Sequence, residues 1–240
     1  TVYFAMEFSK PFKSYGFKNF GKEDYKGFWR KFDQTRNFPE MAGKQIRAYF
    51  DFDAAPNEKV QIKFAISPVS TEGAISNLRS EIPDWDFERV KRESQAAWER
   101  ELSKIAITTI DESDKTNFYT ALYHAMLSPT VYMDTDGQYK GLDQNVHSTM
   151  RKPAREQGLN SQRPQQALTN VRASASGGTD FTNYTTFSLW DTYRALHPLL
   201  NIIQPARNRD MVRSMLAHYD QSVHHMLPVW SHYANENWCM

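Results

Sequence analysis

The sequence predicts an α+β protein, with an antiparallel sheet first and helices after it. Three observations carry that reading. Apolar residues alternate at period two through the first third of the chain, and that spacing lengthens to a helical one after Pro83. The strands also come as a block with one wet and one apolar face, which suits a sheet packed on something rather than a parallel α/β core.

Each element follows from its local pattern. In VYFAMEF, Val2, Phe4, Met6 and Phe8 share one face of a strand, and in IRAYFDFD Ala48, Phe50 and Phe52 do the same. In KVQIKFAIS, Val60, Ile62, Phe64 and Ile66 oppose Lys59, Gln61, Lys63 and Ser67, so the first set is expected inside and the second in water. AAPNE, residues 54–58, has turn chemistry and predicts a hairpin between these last two strands. Beyond Pro83, Asp84 or Asp86 can cap a helix running through residue 104, with Phe87, Val90, Ala97, Trp98, Leu102 and Ile105 at helical spacing. A second helix opens near Ser113 and Asp114, carries Phe118, Ala121, Leu122, Ala125 and Met126, and stops before Pro129. A strand-like TVYMD and the turn DTDG come next. From Gln144 to Asp180 periodicity is lost in a stretch rich in Ser, Gln, Arg, Gly and Pro, read as a long surface loop. Helical pattern resumes over Phe187 to Leu200. It resumes again from Asp210 to Met226, where Met211, Val212, Met215, Leu216, Tyr219, Val223 and Met226 make one face.

Composition narrows the function. A formal net charge of +1 gives no basic field for a polyanion, which disfavours nucleic-acid binding. No apolar run approaches the length of a membrane span, and no signal peptide opens the chain. TVYFAMEF reads as the middle of a strand, so both ends look cut and the chain is expected to be a fragment. Cys239 is the only cysteine, which excludes an internal disulfide; in an apolar stretch it reads as an inert thiol or, less simply, a nucleophile.

Most catalytic motifs are missing. GxGxxG, Walker A, GxSxG, HExxH and CxxC are all absent, which removes dinucleotide, kinase, hydrolase-elbow and simple zinc readings. His224 and His225 diverge on a helix, and only His218 with His225 has a same-face spacing, a weak metal pattern. Asp134 and Asp136 in DTDGQYKGLD faintly resemble a calcium loop, but the closing acid is missing and a plain turn fits better.

Two stretches carry more. In FSLWDTYRALHPL a helix puts Trp190 and Arg194 on one face with Asp191 beside them. An aromatic plane, an acceptor and a forked donor are the equipment for holding a polyhydroxylated ring; an Asp–Arg surface pair with Trp190 packed inward is the plainer alternative. In YANENWCM, Glu236 sits beside Trp238 and apolar neighbours. A carboxyl deprived of water there would favour its protonated form, the state a general acid needs; a solvated loop residue is the alternative.

FTNYTTFSLWDTYRALHPLLNIIQP followed by LPVWSHYANENWCM resembles glycoside hydrolase family 92, the calcium-dependent exo-acting α-mannosidases. The resemblance extends upstream through EFSKPFKSYGF, AYFDFD, VQIKFAISPVSTEGAISNLRSEIPDWDFERVKRESQAAWERELSKI and FYTALYHAMLSPTVYMDTDGQYKGLDQNVH. It implies the end of an N-terminal antiparallel β-sandwich domain over 1–83, a helical linker over 84–110, and the first helices of an (α/α)6 toroid over 111–240. About 148–179 would be a loop insertion in that toroid. It further implies that Glu236 is the general acid, that Asn235, Trp190, Asp191 and Arg194 line the sugar site, and that calcium assists an inverting removal of terminal α-mannose from N-glycans or mannans. The general base and most calcium ligands would lie past residue 240, leaving this chain inactive alone. A mannose-containing glycan would be the partner and the periplasm or cell surface the location. A non-catalytic carbohydrate-binding module, or another glycosidase on the same toroid, are the alternatives.

Overall fold

A computed structural model describes residues 2–19, 28–33, 38–42, 46–149 and 181–237. Most of the expected insertion at 148–179, together with Trp238 and Cys239, therefore lies outside the described residues. The chain is α+β and divides into two compact units, Met6–Lys63 and a larger one made of Thr1–Ala5 and Phe64–Met240.

Six strands open the chain: β1 (Tyr3–Phe8), β2 (Ser14–Asn19), β3 (Phe28–Asp33), β4 (Phe38–Ala42), β5 (Ile46–Asp51) and β6 (Ile62–Ser67). They pair as nested partners, β3 with β4, β2 with β5 and β1 with β6. The expected hairpin between the last two is thus not formed. Residues 54–58 do turn, with Asn57 at φ 65° and the Glu58 N–H donating to the Ala55 carbonyl, yet each flanking strand has its neighbour elsewhere. Period-two alternation says which residues share a face and leaves open which strand lies alongside.

In the smaller unit, Phe8, Phe12, Phe50 and Phe52 pack ring against ring at 4.7–6.0 Å, which is where the alternation of β5 is satisfied. Gly16 faces Tyr49 across β2 and β5, and the phenol ring lies where a Cβ would stand, so a larger residue there would displace that ring. The inward face expected for β6 is reversed. Ile62, Phe64 and Ile66 are each more than half exposed, while Lys63 and Ser67 are buried. Burial here follows polar partners: Lys63 reaches Glu7 at 3.9 Å and Ser67 hydrogen-bonds Asp134.

The larger unit begins with a helix that the β reading of 1–83 did not foresee, α1 (Thr71–Glu81), N-capped by Ser70, whose Oγ accepts from the Gly73 N–H at 2.9 Å. α2 (Phe87–Leu102) and α3 (Glu112–Ala125) form where expected, N-capped by Asp86 and Asp111. Trp98 of α2 packs on Tyr123 of α3 at 4.6 Å. The DTDG turn is structural: buried Asp134 accepts from Ser67 Oγ at 2.7 Å and Asn77 Nδ2 at 2.8 Å, tying α1 to the chain beyond α3.

Short strands then alternate with helices: β7 (Thr130–Val131), β8 (Gln138–Lys140), β9 (Val146–Ser148), β10 (Tyr184–Thr185), β11 (Phe187–Ser188), α4 (Leu189–Thr192), α5 (Leu196–Ile203), α6 (Pro205–Gln221), β12 (Trp230–His232) and β13 (Asn235–Asn237). Strand β9 lies inside the stretch read as aperiodic. The helix expected over Phe187 to Leu200 is broken into β11, α4 and α5, and the one expected from Asp210 begins at Pro205, which has no N–H to waste at a helix start. Its buried stripe is Asn208, Met211, Ser214 and His218, whereas Val212 and Leu216 are nearly half exposed. The polar members are tolerated inside because each is bonded: Asn208 to Asn201 at 2.7 Å, Ser214 Oγ to the Tyr184 N–H at 2.9 Å, His218 to Ser231. Tyr184, Phe187, Leu200 and Met211 form the core around them.

Candidate active site

Glu236 stands on β13, one arm of a hairpin with β12. The two residues between the arms, Tyr233 and Ala234, have φ of 47° and 61°, the left-handed pair that a tight hairpin turn requires. Register aligns Glu236 with Ser231, and Ser231 with Phe187 of β11. Directly opposed residues point to the same side of an antiparallel sheet, so Phe187, Ser231 and Glu236 share a face. Two strand spacings put the Glu236 backbone about 10 Å from that of Phe187.

On that face His218 is buried, with Nδ1 3.0 Å from Ser231 Oγ and its ring edge-on to Phe187 at 5.8 Å. Burial pushes the imidazole down to about 4, so it is neutral at physiological pH. Glu236 is partly buried, and its Oε2 is fully enclosed without a hydrogen-bond partner among the described residues. An enclosed carboxyl oxygen with nothing to bond is costly in a folded protein.

Trp190, Asp191 and Arg194 are brought to the surface on the chain that leaves β11. Ser188 organises them: its Oγ accepts from Trp230 Nε1 at 2.7 Å and donates to Asp191 Oδ2 in a very short bond. Trp190 is 62 % exposed, which removes the inward-packed alternative for it. The expectation that Trp190 and Arg194 share a helical face is corrected, because α4 ends at Thr192 and Arg194 lies in the following turn. Arg194 instead donates from Nε to the Tyr193 hydroxyl at 2.5 Å, and Asp191 takes its bond from Ser188 rather than forming the surface pair weighed from sequence. Asn235 is exposed and donates back to the Tyr233 carbonyl at 3.1 Å, bracing its own turn. Ser188 and Trp230 oppose each other one residue out of step with the Phe187–Ser231–Glu236 row, so the acid and the Trp190–Asp191 segment are joined through one three-stranded sheet.

Sequence reasoning missed the residues that hold the hairpin. The Tyr233 N–H donates to Thr185 Oγ1 at 2.8 Å, Gln144 Nε2 donates to the Ala234 carbonyl at 2.6 Å, and Tyr132 meets the Tyr233 ring edge-on at 5.7 Å. Only His218 had drawn notice, as a weak metal ligand. Among the described residues no three His, Cys, Asp or Glu side chains converge on a point that could hold a metal ion. A cavity of about 330 Å³ lined by Trp98, Glu101, Met126, Gln204 and Arg207 lies among α2, α3, α5 and α6 and includes none of the expected site residues.

Residues 73–240 match the model of the glycosyl hydrolase family 92 catalytic domain. The structure of a family GH92 alpha-mannosidase from Bacteroides thetaiotaomicron is 39 % identical with a TM-score of 0.75, over 100 % of this chain and 28 % of that one. The same enzyme in complex with mannoimidazole gives 39 % and 0.74, over 100 % and 27 %. An inverting family GH92 mannosidase of that bacterium shares the fold at 23 % identity and a TM-score of 0.70, over 100 % and 27 %. An uncharacterized secreted glycosidase from Arthroderma benhamiae is 32 % identical over 90 residues, 35 % of this chain and 12 % of that protein. The chain belongs to glycosyl hydrolase family 92. It spans little more than a quarter of the length of the solved relatives.

Proposed function

We propose that this chain supplies the general-acid region of an exo-acting α-mannosidase, with Glu236 as the proton donor. The observation that carries the reading is the enclosed, unpartnered Glu236 Oε2 on a hairpin of left-handed turn residues. That oxygen is not committed to a hydrogen bond with the described residues, which leaves the carboxyl to act on a departing glycosidic oxygen. In an inverting reaction the glycosidic C–O bond breaks as that proton transfers, and a water held by a second carboxylate attacks the opposite face of the sugar. The second carboxylate stands about 6.5–9.5 Å from the first to admit the water. No described residue is assigned to that second role, and the 240-residue chain is inactive by itself on this reading.

Trp190, exposed and flat, covers the apolar face of the mannose ring; Asp191 accepts from a hydroxyl and Arg194 donates to one. Asn235 adds a polar contact beside the acid. The substrate is a terminal α-linked mannose of an N-glycan or mannan. Calcium, implied by the family resemblance, finds no cradle among the described residues, where no three His, Cys, Asp or Glu side chains converge. The arrangement proposed along the chain is a sandwich-domain end over 1–83, a helical linker over 84–110 and toroid helices over 111–240 with an insertion near 148–179. Support for the first of these is the all-β unit Met6–Lys63. The secreted relative supports an exported protein, at the periplasm or cell surface. Among the described residues no helix is long and apolar enough to cross a membrane.

The test is Glu236→Gln in the full-length parent protein, assayed on aryl α-mannoside beside aryl α-glucoside. A loss of about 100-fold or more on the mannoside alone is expected. Undiminished turnover would refute the assignment, and preference for the glucoside would refute the sugar.

A further inference from the structure

The loop joining β8 and β9 reaches the hairpin of Glu236 through Gln144. Its tip is stiffened from within. Asp143 accepts from the Asn145 N–H at 3.0 Å, and His147 Nε2 lies 3.0 Å from both Asp143 oxygens. Its base is anchored to α6, where the Tyr139 hydroxyl accepts from Gln221 Nε2 at 2.8 Å. From this support Gln144, itself in the left-handed region at φ 65°, donates to the Ala234 carbonyl at 2.6 Å. Ala234 is buried and also left-handed, two residues before Glu236.

We propose that Gln144 is a positioning residue, whose amide fixes the turn at Ala234 and thereby the reach of the Glu236 carboxyl; the catalytic half of this statement rests on the general-acid reading above. A hairpin with three residues in each arm has little rigidity of its own, and its turn must be held from outside. Thr185 secures one side of the turn through the Tyr233 N–H. Gln144 secures the other. Misplacing a proton donor by a fraction of an ångström to one ångström costs up to about 100-fold in rate, with binding of the substrate left intact.

The experiment uses the full-length parent enzyme and Gln144→Ala, with Gln144→Glu as a variant of equal size that lacks the donor. An activated 2,4-dinitrophenyl α-mannoside leaves without acid help, whereas phenyl and methyl α-mannosides need the proton. Gln144→Ala and Gln144→Glu should each lower kcat on the poor leaving groups about tenfold or more, and less than about threefold on the activated one, with KM little changed. Amide hydrogen exchange at 234–236, which needs no substrate, should quicken about tenfold in both variants. An equal fall on all leaving groups, or exchange unchanged from the parent, overturns the proposal. Glu236→Gln run alongside separates the two ideas. If it shows no dependence on the leaving group the acid reading fails, and faster exchange in the Gln144 variants then still upholds the clamp on the turn.

Discussion

Ser231 and Glu236 face each other across β12 and β13, and the Ser231 hydroxyl is already engaged with His218 Nδ1 at 3.0 Å. The proposed acid thus has as its cross-strand neighbour a hydroxyl whose bonding is taken up by a buried, neutral imidazole.

That imidazole should make stability depend on pH. Burial holds His218 at about 4 in the folded chain against an ordinary value of 6.5, so between those values the unfolded chain binds more protons. The stability is fully present above about pH 6.5 and is lost as pH falls towards 4, a change of about 3 kcal/mol. Unfolding midpoints in urea from pH 4 to 7 should show this slope, and His218→Asn should flatten it. An identical slope in the variant would assign the effect to other groups.

Asp134 should behave as a structural acid. Replacing it with Ala leaves the Ser67 hydroxyl without its acceptor and the Asn77 amide with only the Ile66 carbonyl, at a cost of about 3 kcal/mol. Asp134→Asn keeps one acceptor oxygen and should lose less. Equal stability of Asp134→Ala and the parent in denaturant titration would contradict the bonding described.

Phe187 is 1 % exposed, at the root of the sheet that bears the hairpin. Phe187→Ala should cost about 4 kcal/mol through the cavity it leaves. Calorimetry on the full-length parent measures this, and a drop of under about 1 kcal/mol would mean that the site collapses or was loosely packed.

The 240-residue chain alone should associate with itself. Ile62, Phe64 and Ile66 form one open apolar face, and Val212, Leu216 and Val223 line another. Light scattering and dye binding to exposed apolar surface should both report it, and Phe64→Lys with Leu216→Lys should reduce it. A monodisperse monomer that binds no dye would count against this expectation.

How much of this was legible from the sequence depends on the kind of order involved. Helices α2 and α3 announce themselves through capping aspartates and a clear apolar stripe. Helix α1 does not, because its buried face is Ala74, Leu78 and the polar Asn77, with too little apolar signal to set a period. The break between α4 and α5 was invisible for a different reason: apolar spacing persists across the turn at Tyr193–Ala195 while the backbone does not. Strand partnership could not be read from alternation, and the exposed side of β6 was misjudged because alternation names a face without saying what covers it. Glu236 was singled out through the motif around it. Its supporters Gln144, Thr185 and His218 were not, since nothing local in their own segments distinguishes a side chain that will bond a distant carbonyl or amide from one that will meet water.

Among the described residues, the groups that hydrogen-bond the hairpin from Gln144, Thr185 and His218 all precede it in the chain. As the polypeptide emerges from the ribosome at about 5–20 residues per second, the receptacle for this turn can be assembled before the turn exists. The hairpin then docks into a mould already made, so its geometry is inherited from earlier synthesis.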